Sequence, residues 1–310
     1  MLLFLTSALR GGGPGRALCT PTFHGLSDGP FRRIPFRLRP IRHTYKDVLL
    51  FGDERQLLAT ATELLQHPTK KKKKSFWTIY SKRAKASLFI LSPGATALIL
   101  KSFDAHREDT GIYVAAAAAL PSKIKEADGK ALLIFTEIFS ARLKQQQDQE
   151  QHIFKAIVQQ IPHSIHQLSC SEVLRILRAL NVVAFSDLLL CRMFARKLQT
   201  YSTTLDHKDV AAAASAFAAQ NFRSVSLYNV LKEQALQQQA FYDLSSLYEL
   251  LNGFYQNAVV YDELLQGFST RLLQFKDNFS SKQRRVIGQM IADSHLPLPE
   301  LREEFCKPGD

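Results

Sequence analysis

Leu190, Leu227, Leu264 and Leu301 recur at a constant interval of 37 residues, and that interval constrains the fold more than any other feature of the chain. Phe194, Leu231, Phe268 and Phe305 keep the same interval four positions later. Ile176, Ala213, Leu250 and Ile287 form a third column, and Leu180, Phe217, Phe254 and Ile291 a fourth. A fixed period of this length marks a stacked repeat, because one such unit cannot bury its apolar face alone. Within a period the apolar positions follow helical spacing: Val173, Leu174, Ile176, Leu177 and Leu180 share one helix face. The expectation is an all-α protein, a helix-turn-helix repeat solenoid.

The helix pairs are expected at 172–180 with 187–198, 208–217 with 225–236, 243–254 with 261–273, and 282–291 with 299–305. Pro308 ends the last of them. One period earlier lie 131–143 and 151–161, joined by a polar Gln-rich loop, so about five 37-residue repeats fill residues 131–310. A further step back reaches 97–103 and 112–120, where the register fits poorly and a degenerate first repeat is expected within a basic helical region, 44–130. Segments 45–65 and 76–91 are expected to be helical but outside the register. The alanines at 211–214 stand where Leu174, Arg175, Ile176 and Leu177 stand one repeat earlier, and Ala216 where Ala179 stands. They favour helix and let a neighbouring helix approach closely.

Charge is distributed unevenly. The formal net charge is +12, and residues 1–130 hold 22 Lys+Arg against 10 Asp+Glu, leaving 18 against 18 for the rest. The high pI therefore describes the N-terminal part, not the repeats. Residues 1–43 contain seven Arg, no Lys and one acid, Asp28. That composition suits a mitochondrial targeting leader. A plastid or secretory leader built on the short apolar run 2–9, and a folded N-terminus, are the alternatives. No stretch reaches the roughly 20 apolar residues of a membrane span. The four cysteines (Cys19, Cys170, Cys191, Cys306) form no CxxC pair and suggest neither a disulfide framework nor a zinc site.

A 37-residue helix-pair repeat behind such a leader resembles the heptatricopeptide repeat family, organellar relatives of the tetratricopeptide and pentatricopeptide superhelices. The resemblance covers residues 131–305 and rests on the four columns above. It implies organellar RNA metabolism, and in parasite mitochondria an association with ribosomal RNA and ribosome assembly. The homopolymeric Lys, Ala and Gln runs suit an apicomplexan-type proteome. The RAP domain that often follows such repeats is not expected here, which removes the usual argument for a nuclease. In helix-pair repeats that read RNA, polar residues of the first helix line the groove. The matching column is Arg178, Ser215, Asn252 and Gln289; its neighbour is Arg175, Ala212, Glu249 and Val286, too mixed for a phosphate track. Arg175 and Arg178 are its candidate RNA contacts, against the plainer reading of both columns as solvent faces.

The densest charge is Lys70, Lys71, Lys72, Lys73, Lys74, Lys82, Arg83 and Lys85, uninterrupted by any acid and interleaved with Phe76, Trp77 and Tyr80. Such a cluster can neutralise several phosphates and release counterions. The aromatics could stack on unpaired bases, although packing into the core is the favoured reading for Phe76 and Trp77. His163 and His166 lack a third metal ligand nearby, and Asp104, His106, Glu108 and Asp109 read as a solvated linker. Nucleotide-binding glycine motifs, HExxH and GxSxG are all absent from the sequence. The expectation is a non-catalytic mitochondrial RNA-binding protein without cofactor, metal or small-molecule substrate. Its partners would be RNA, rRNA in particular, and ribosomal proteins of the mitochondrial translation machinery. The alternative is a scaffold subunit of a respiratory or ATP synthase complex.

Overall fold

In the computed structural model of the chain, residues 53–69, 72–108, 111–145, 150–258 and 261–306 are described. The Arg-rich leader, Lys70, Lys71, Asp109 and most of the Gln-rich loop lie outside them. All regular structure among the described residues is helical. Two short helices, α1 (Glu54–Gln66) and α2 (Lys74–Ser87), are followed by α3 (Pro93–Ala105) and α4 (Ile112–Ala119). Next come α5 (Gly129–Lys144), α6 (Gln151–Ser164), α7 (Cys170–Val182), α8 (Leu188–Thr200), α9 (His207–Ala219) and α10 (Val225–Gln237). The chain continues through α11 (Leu244–Asn257), α12 (Asp262–Gly267), α13 (Ser269–Gln274), α14 (Ser281–Asp293) and α15 (Pro299–Phe305).

Packing sorts these helices into two layers. In the first, α1 packs on α3, α3 on α5, α5 on α7, α7 on α9, α9 on α11, and α11 on α14. In the second, α2 packs on α4, α8 on α10, α10 on α12, and α13 on α15. Contacts of α5 with α6, α7 with α8, α9 with α10 and α14 with α15 join the layers. The largest fully buried side chains include Phe135, Phe139, Phe154, Phe194, Phe217, Phe254 and Phe268, so the repeating columns of the sequence form the core.

The interval seen in the sequence reappears in local geometry. From α7 onward, first-layer helices begin at residues 170, 207, 244 and 281, and second-layer helices from α6 at 151, 188, 225, 262 and 299. Ser169, Asp206, Asp243 and Ser280 stand 37 apart as N-caps, each accepting a backbone N–H three residues on. Each such cap contributes about 1 kcal/mol by satisfying an orphan donor of the first turn. At the opposite ends, Ala184, Asn221 and Ala258 adopt left-handed backbone with φ of 50°, 52° and 50°. After two of these helices the chain closes with a wide amide bond: Phe185 N–H donates to Leu180 O and Phe222 N–H to Phe217 O, both at 3.0 Å. That left-handed closure ends a helix and turns the chain into the second layer.

Two expectations need correction. Segments 45–65 and 76–91 are read from the sequence as lying outside the register, yet α1 and α2 occupy the same layers as later pairs. Connectors of slightly different length account for this: first-layer starts at 54, 93, 129 and 170 drift around the 37-residue spacing without altering the packing. The segment 261–273 reads as one helix and is instead α12 and α13, separated at Phe268 (φ −97°, ψ 6°). Gly267 lies at that break, where a Cβ would meet Leu236 Cδ2, the movable end of a side chain on α10. Glycine lets the helices touch but weakens the helix at that point.

Candidate nucleic-acid interface

The basic segment becomes helix α2, whose two faces differ sharply. Trp77, Tyr80, Ser81, Ala84 and Ser87 are buried and follow helical spacing. Trp77 packs on Phe103 and His106 with ring centroids 5.4 and 5.2 Å apart. Tyr80 stacks on Phe103 at 4.9 Å and pairs its hydroxyl with Ser102 Oγ at 3.0 Å. Phe76 is half-buried and packs against both Trp77 and Tyr80. With Trp77 only 3% exposed and Tyr80 0%, these two rings build the α2–α3 core and present no open face to a base.

The cations also divide. Lys72 is held inward, its ammonium 3.0 Å from Glu63 Oε1 and 5.5 Å from the Phe76 ring centre. It ties α2 to α1. Arg83 and Lys85 are half-buried, and Lys85 Nζ lies 3.4 Å from where a Cβ on Gly111 would sit. Lys73, Lys74 and Lys82 are exposed. Lys74, Thr78, Lys82 and Ala86 recur every four residues and make a continuous exposed stripe along α2. Among the described residues of this run, Lys73, Lys74 and Lys82 are thus the fully exposed cations, the last two on one face of α2.

Arg175 and Arg178 lie elsewhere, on α7. Arg175 forms a two-point ion pair with Glu137 of α5, Nε to Oε1 and Nη2 to Oε2 both at 2.7 Å. Arg178 Nη2 reaches Glu249 Oε1 at 3.1 Å, crossing over the alanine-rich helix α9 to a residue of α11. Arg178 also lowers the pKa of Asp209, which is raised overall by burial and then by Asp206. Gln289, in the same polar column, donates to Asp293 at 2.9 Å. Arg175 and Arg178 are thus each ion-paired with a glutamate of another helix while remaining about half exposed. Neither arginine joins the α2 stripe, since α2 packs on α4 and α7 on α5 and α9.

The remaining polar clusters have structural explanations. His106 Nε2 lies 3.1 Å from Leu64 O, and its ring packs on Trp77. The solvated-linker reading is therefore wrong for His106. Asp104 is open to solvent on one side; burial, then the charge of Glu137, raises its carboxyl pKa while Arg142 opposes this. It lines a cleft of about 480 Å³ with Arg107, Glu108, Tyr113 and Arg142. There Arg142 Nε donates to both oxygens of the buried Glu150, at 2.9 and 2.7 Å, and its guanidinium covers the Tyr113 ring at 4.1 Å. No group of three or more His, Cys, Asp or Glu suited to a metal occurs among the described residues. Cys170 and Cys191 are buried free thiols, and burial pushes Cys191 up to about 11, far from a thiolate nucleophile at neutral pH.

The sequence reading missed the exposed apolar groups. Phe89 and Ile90, in the turn between α2 and α3, are 67% and 79% exposed. Leu188, Leu189 and Val225 are exposed at the starts of α8 and α10, with Leu188 and Val225 in register. The hydrophobic run 88–91 before Ser92 and Pro93 contained the first pair, but run composition does not tell which two of its four members face out. No helix of the described residues is long and apolar enough to cross a membrane. No family model matches the chain, and no curated protein is significantly similar to it.

Proposed function

We propose that this is a non-catalytic, heptatricopeptide-like repeat solenoid that binds RNA in the mitochondrion, as a component or assembly factor of the mitochondrial ribosome. The observation that carries the proposal is the exposed Lys73, Lys74 and Lys82 surface on α2. It lies in the part of the chain that holds all the excess positive charge, beside the five-lysine run 70–74. Phosphate contacts of this kind supply sequence-independent affinity that falls steeply with salt. The recurring caps and left-handed turns support the solenoid, and the Arg-rich leader supports the mitochondrial address. The full chain should bind single-stranded and structured RNA at low salt. Replacing Lys70–Lys74 and Lys82 with Ala should flatten the log–log salt slope by about 0.7 per lost contact on a single strand. Absence of binding by the unmodified chain at low salt would sink this reading.

A second reading is a protein-binding scaffold within a respiratory or ATP synthase complex. It is favoured by the exposed Leu188, Leu189 and Val225, and by the ion-paired Arg175 and Arg178. Mass spectrometry of the complex isolated from mitochondria separates the two. Ribosomal proteins with rRNA point to one, membrane-complex subunits to the other.

A further inference from the structure

We infer that the turn joining α2 to α3 is a stacking platform for an unpaired RNA base, with Phe89 as the aromatic surface and Ile90 as its apolar edge. This rests on the RNA reading and narrows it to single-stranded ligand. The turn is rigidly built. Leu88 and Leu91 are buried on either side of the exposed pair. The N–H groups of Ile90 and Leu91 both donate to Ser87 O at 3.0 Å. Beneath them the buried ammonium of Lys123 donates to Leu88 O, to Leu91 O at 2.6 Å and to Thr96 Oγ1 at 3.1 Å. Two large apolar side chains are therefore held in water by a turn anchored from below, so their exposure is not a product of a loose loop.

Charge placement selects the ligand. Lys74 and Lys82 lie in line on the exposed face of α2, about 12 Å apart by helix rise, and Phe89 is exposed in the turn that directly follows the end of the helix at Ser87. A row of cations leading to an aromatic face is the arrangement that tracks a phosphate backbone and stacks its bases. An anionic bilayer would need cations around the tip instead. The neighbouring stretch, from which Lys123 reaches across, exposes Lys125 and Lys130 beside Glu126 and Asp128, so its exposed charges balance and the excess of exposed cations lies on α2. Only one tryptophan, Trp77, occurs in the chain, and it is buried. A Phe89→Trp variant consequently carries a single exposed reporter at the proposed platform.

The test uses the full chain with three ligands: a single-stranded oligoribonucleotide, an RNA duplex, and phosphatidylcholine vesicles containing phosphatidylserine. Phe89→Trp should retain single-strand affinity and show fluorescence quenching on binding. Phe89→Ala should weaken single-strand binding roughly 5- to 150-fold, the range for loss of one stacked base, while leaving duplex binding unchanged. Lys74→Ala with Lys82→Ala should weaken both. If Phe89→Ala binds the single strand as the unmodified chain does while the lysine variant is impaired, the platform is refuted and the RNA reading survives. If the unmodified chain binds neither RNA, both fall. An emission shift of the Phe89→Trp variant on vesicles, without quenching by RNA, overturns the platform in favour of a lipid surface. Unchanged thermal unfolding of Phe89→Ala, an exposed position, separates these outcomes from misfolding.

Discussion

Replacing Gly253 with alanine should destabilise the protein even though alanine is the better helix former. Gly253 lies in α11, where that helix crosses α9. An ideal Cβ built there would lie 2.5 Å from Ala214 C, 2.6 Å from Ser215 N and 2.8 Å from Ala214 O. Carbon atoms in good contact sit about 3.5–4.0 Å apart, so the helix axes must separate by roughly 1 Å. These are backbone atoms, so no rotamer change relieves the clash. Separation would loosen the packing among Ala211, Ala214, Leu250 and Phe254, all now buried. It would also strain the hydrogen bond from Tyr228 Oη to Ala214 O, 3.0 Å long, whose tyrosine accepts in turn from Asn257 Nδ2. Overpacking of this kind costs about 1–3 kcal/mol, partly offset by the helix preference of alanine over glycine, about 1 kcal/mol. The net is a loss of up to about 2 kcal/mol, or up to roughly 4 °C in melting temperature at this size. Chemical and thermal unfolding followed by circular dichroism measure it. Gly94→Ala is the matched control, because nothing lies within 4 Å of its Cβ position in the first turn of α3. If Gly253→Ala proved as stable as Gly94→Ala, the close crossing of α9 and α11 would be wrong.

Other outcomes follow from the repeated helix ends. Ala184 is strained in left-handed backbone that glycine adopts freely, so Ala184→Gly should stabilise the protein by about 0.5–1 kcal/mol, seen as a higher urea midpoint; a lower midpoint would contradict the assigned turn. Asp243 caps α11 by accepting from Ser246 N–H at 2.8 Å and Ser246 Oγ–H at 2.7 Å, and these bonds hold its carboxyl below the usual aspartate value. A group with a depressed folded pKa contributes stability above its unfolded value, 3.8, and loses it as pH falls through the lower folded value. Asp243→Asn should keep most of the cap at neutral pH and lessen the acid-limb slope of stability, whereas Asp243→Ala should cost about 1 kcal/mol at pH 7.

The helix pairs from α7 onward were legible because the four columns of apolar residues that begin at Ile176, Leu180, Leu190 and Phe194 keep strict register and are buried. The cap column was also visible in principle, since Ser169, Asp206, Asp243 and Ser280 are cap-forming residues at one spacing. The left-handed column was not, because two of its members are alanine and nothing in an alanine announces positive φ. The first two pairs were hidden by variable connector lengths, to which helix packing is indifferent but a fixed-interval comparison is not. The basic segment was legible as charge and illegible as surface. Lys72, Lys74 and Lys82 look alike in the chain, and only the wrapping of α2 against α1 and α3 decides which faces inward. The polar column was misleading for the same reason: Arg178 finds its partner 71 positions away.

That distant pairing has a mechanical meaning. In a stack whose members touch only their immediate neighbours, stability is a sum of local terms and fraying can proceed one pair at a time. Glu249 and Arg178 meet because the side chains of α9 on that surface are short enough for a guanidinium to reach across them. The bridge is exposed and weak in itself. It nevertheless links pairs that are second neighbours, a coupling absent from a nearest-neighbour chain. Opening of α7 and of α11 in native-state hydrogen exchange should then be coupled by up to about 1 kcal/mol, a coupling that Arg178→Ala removes.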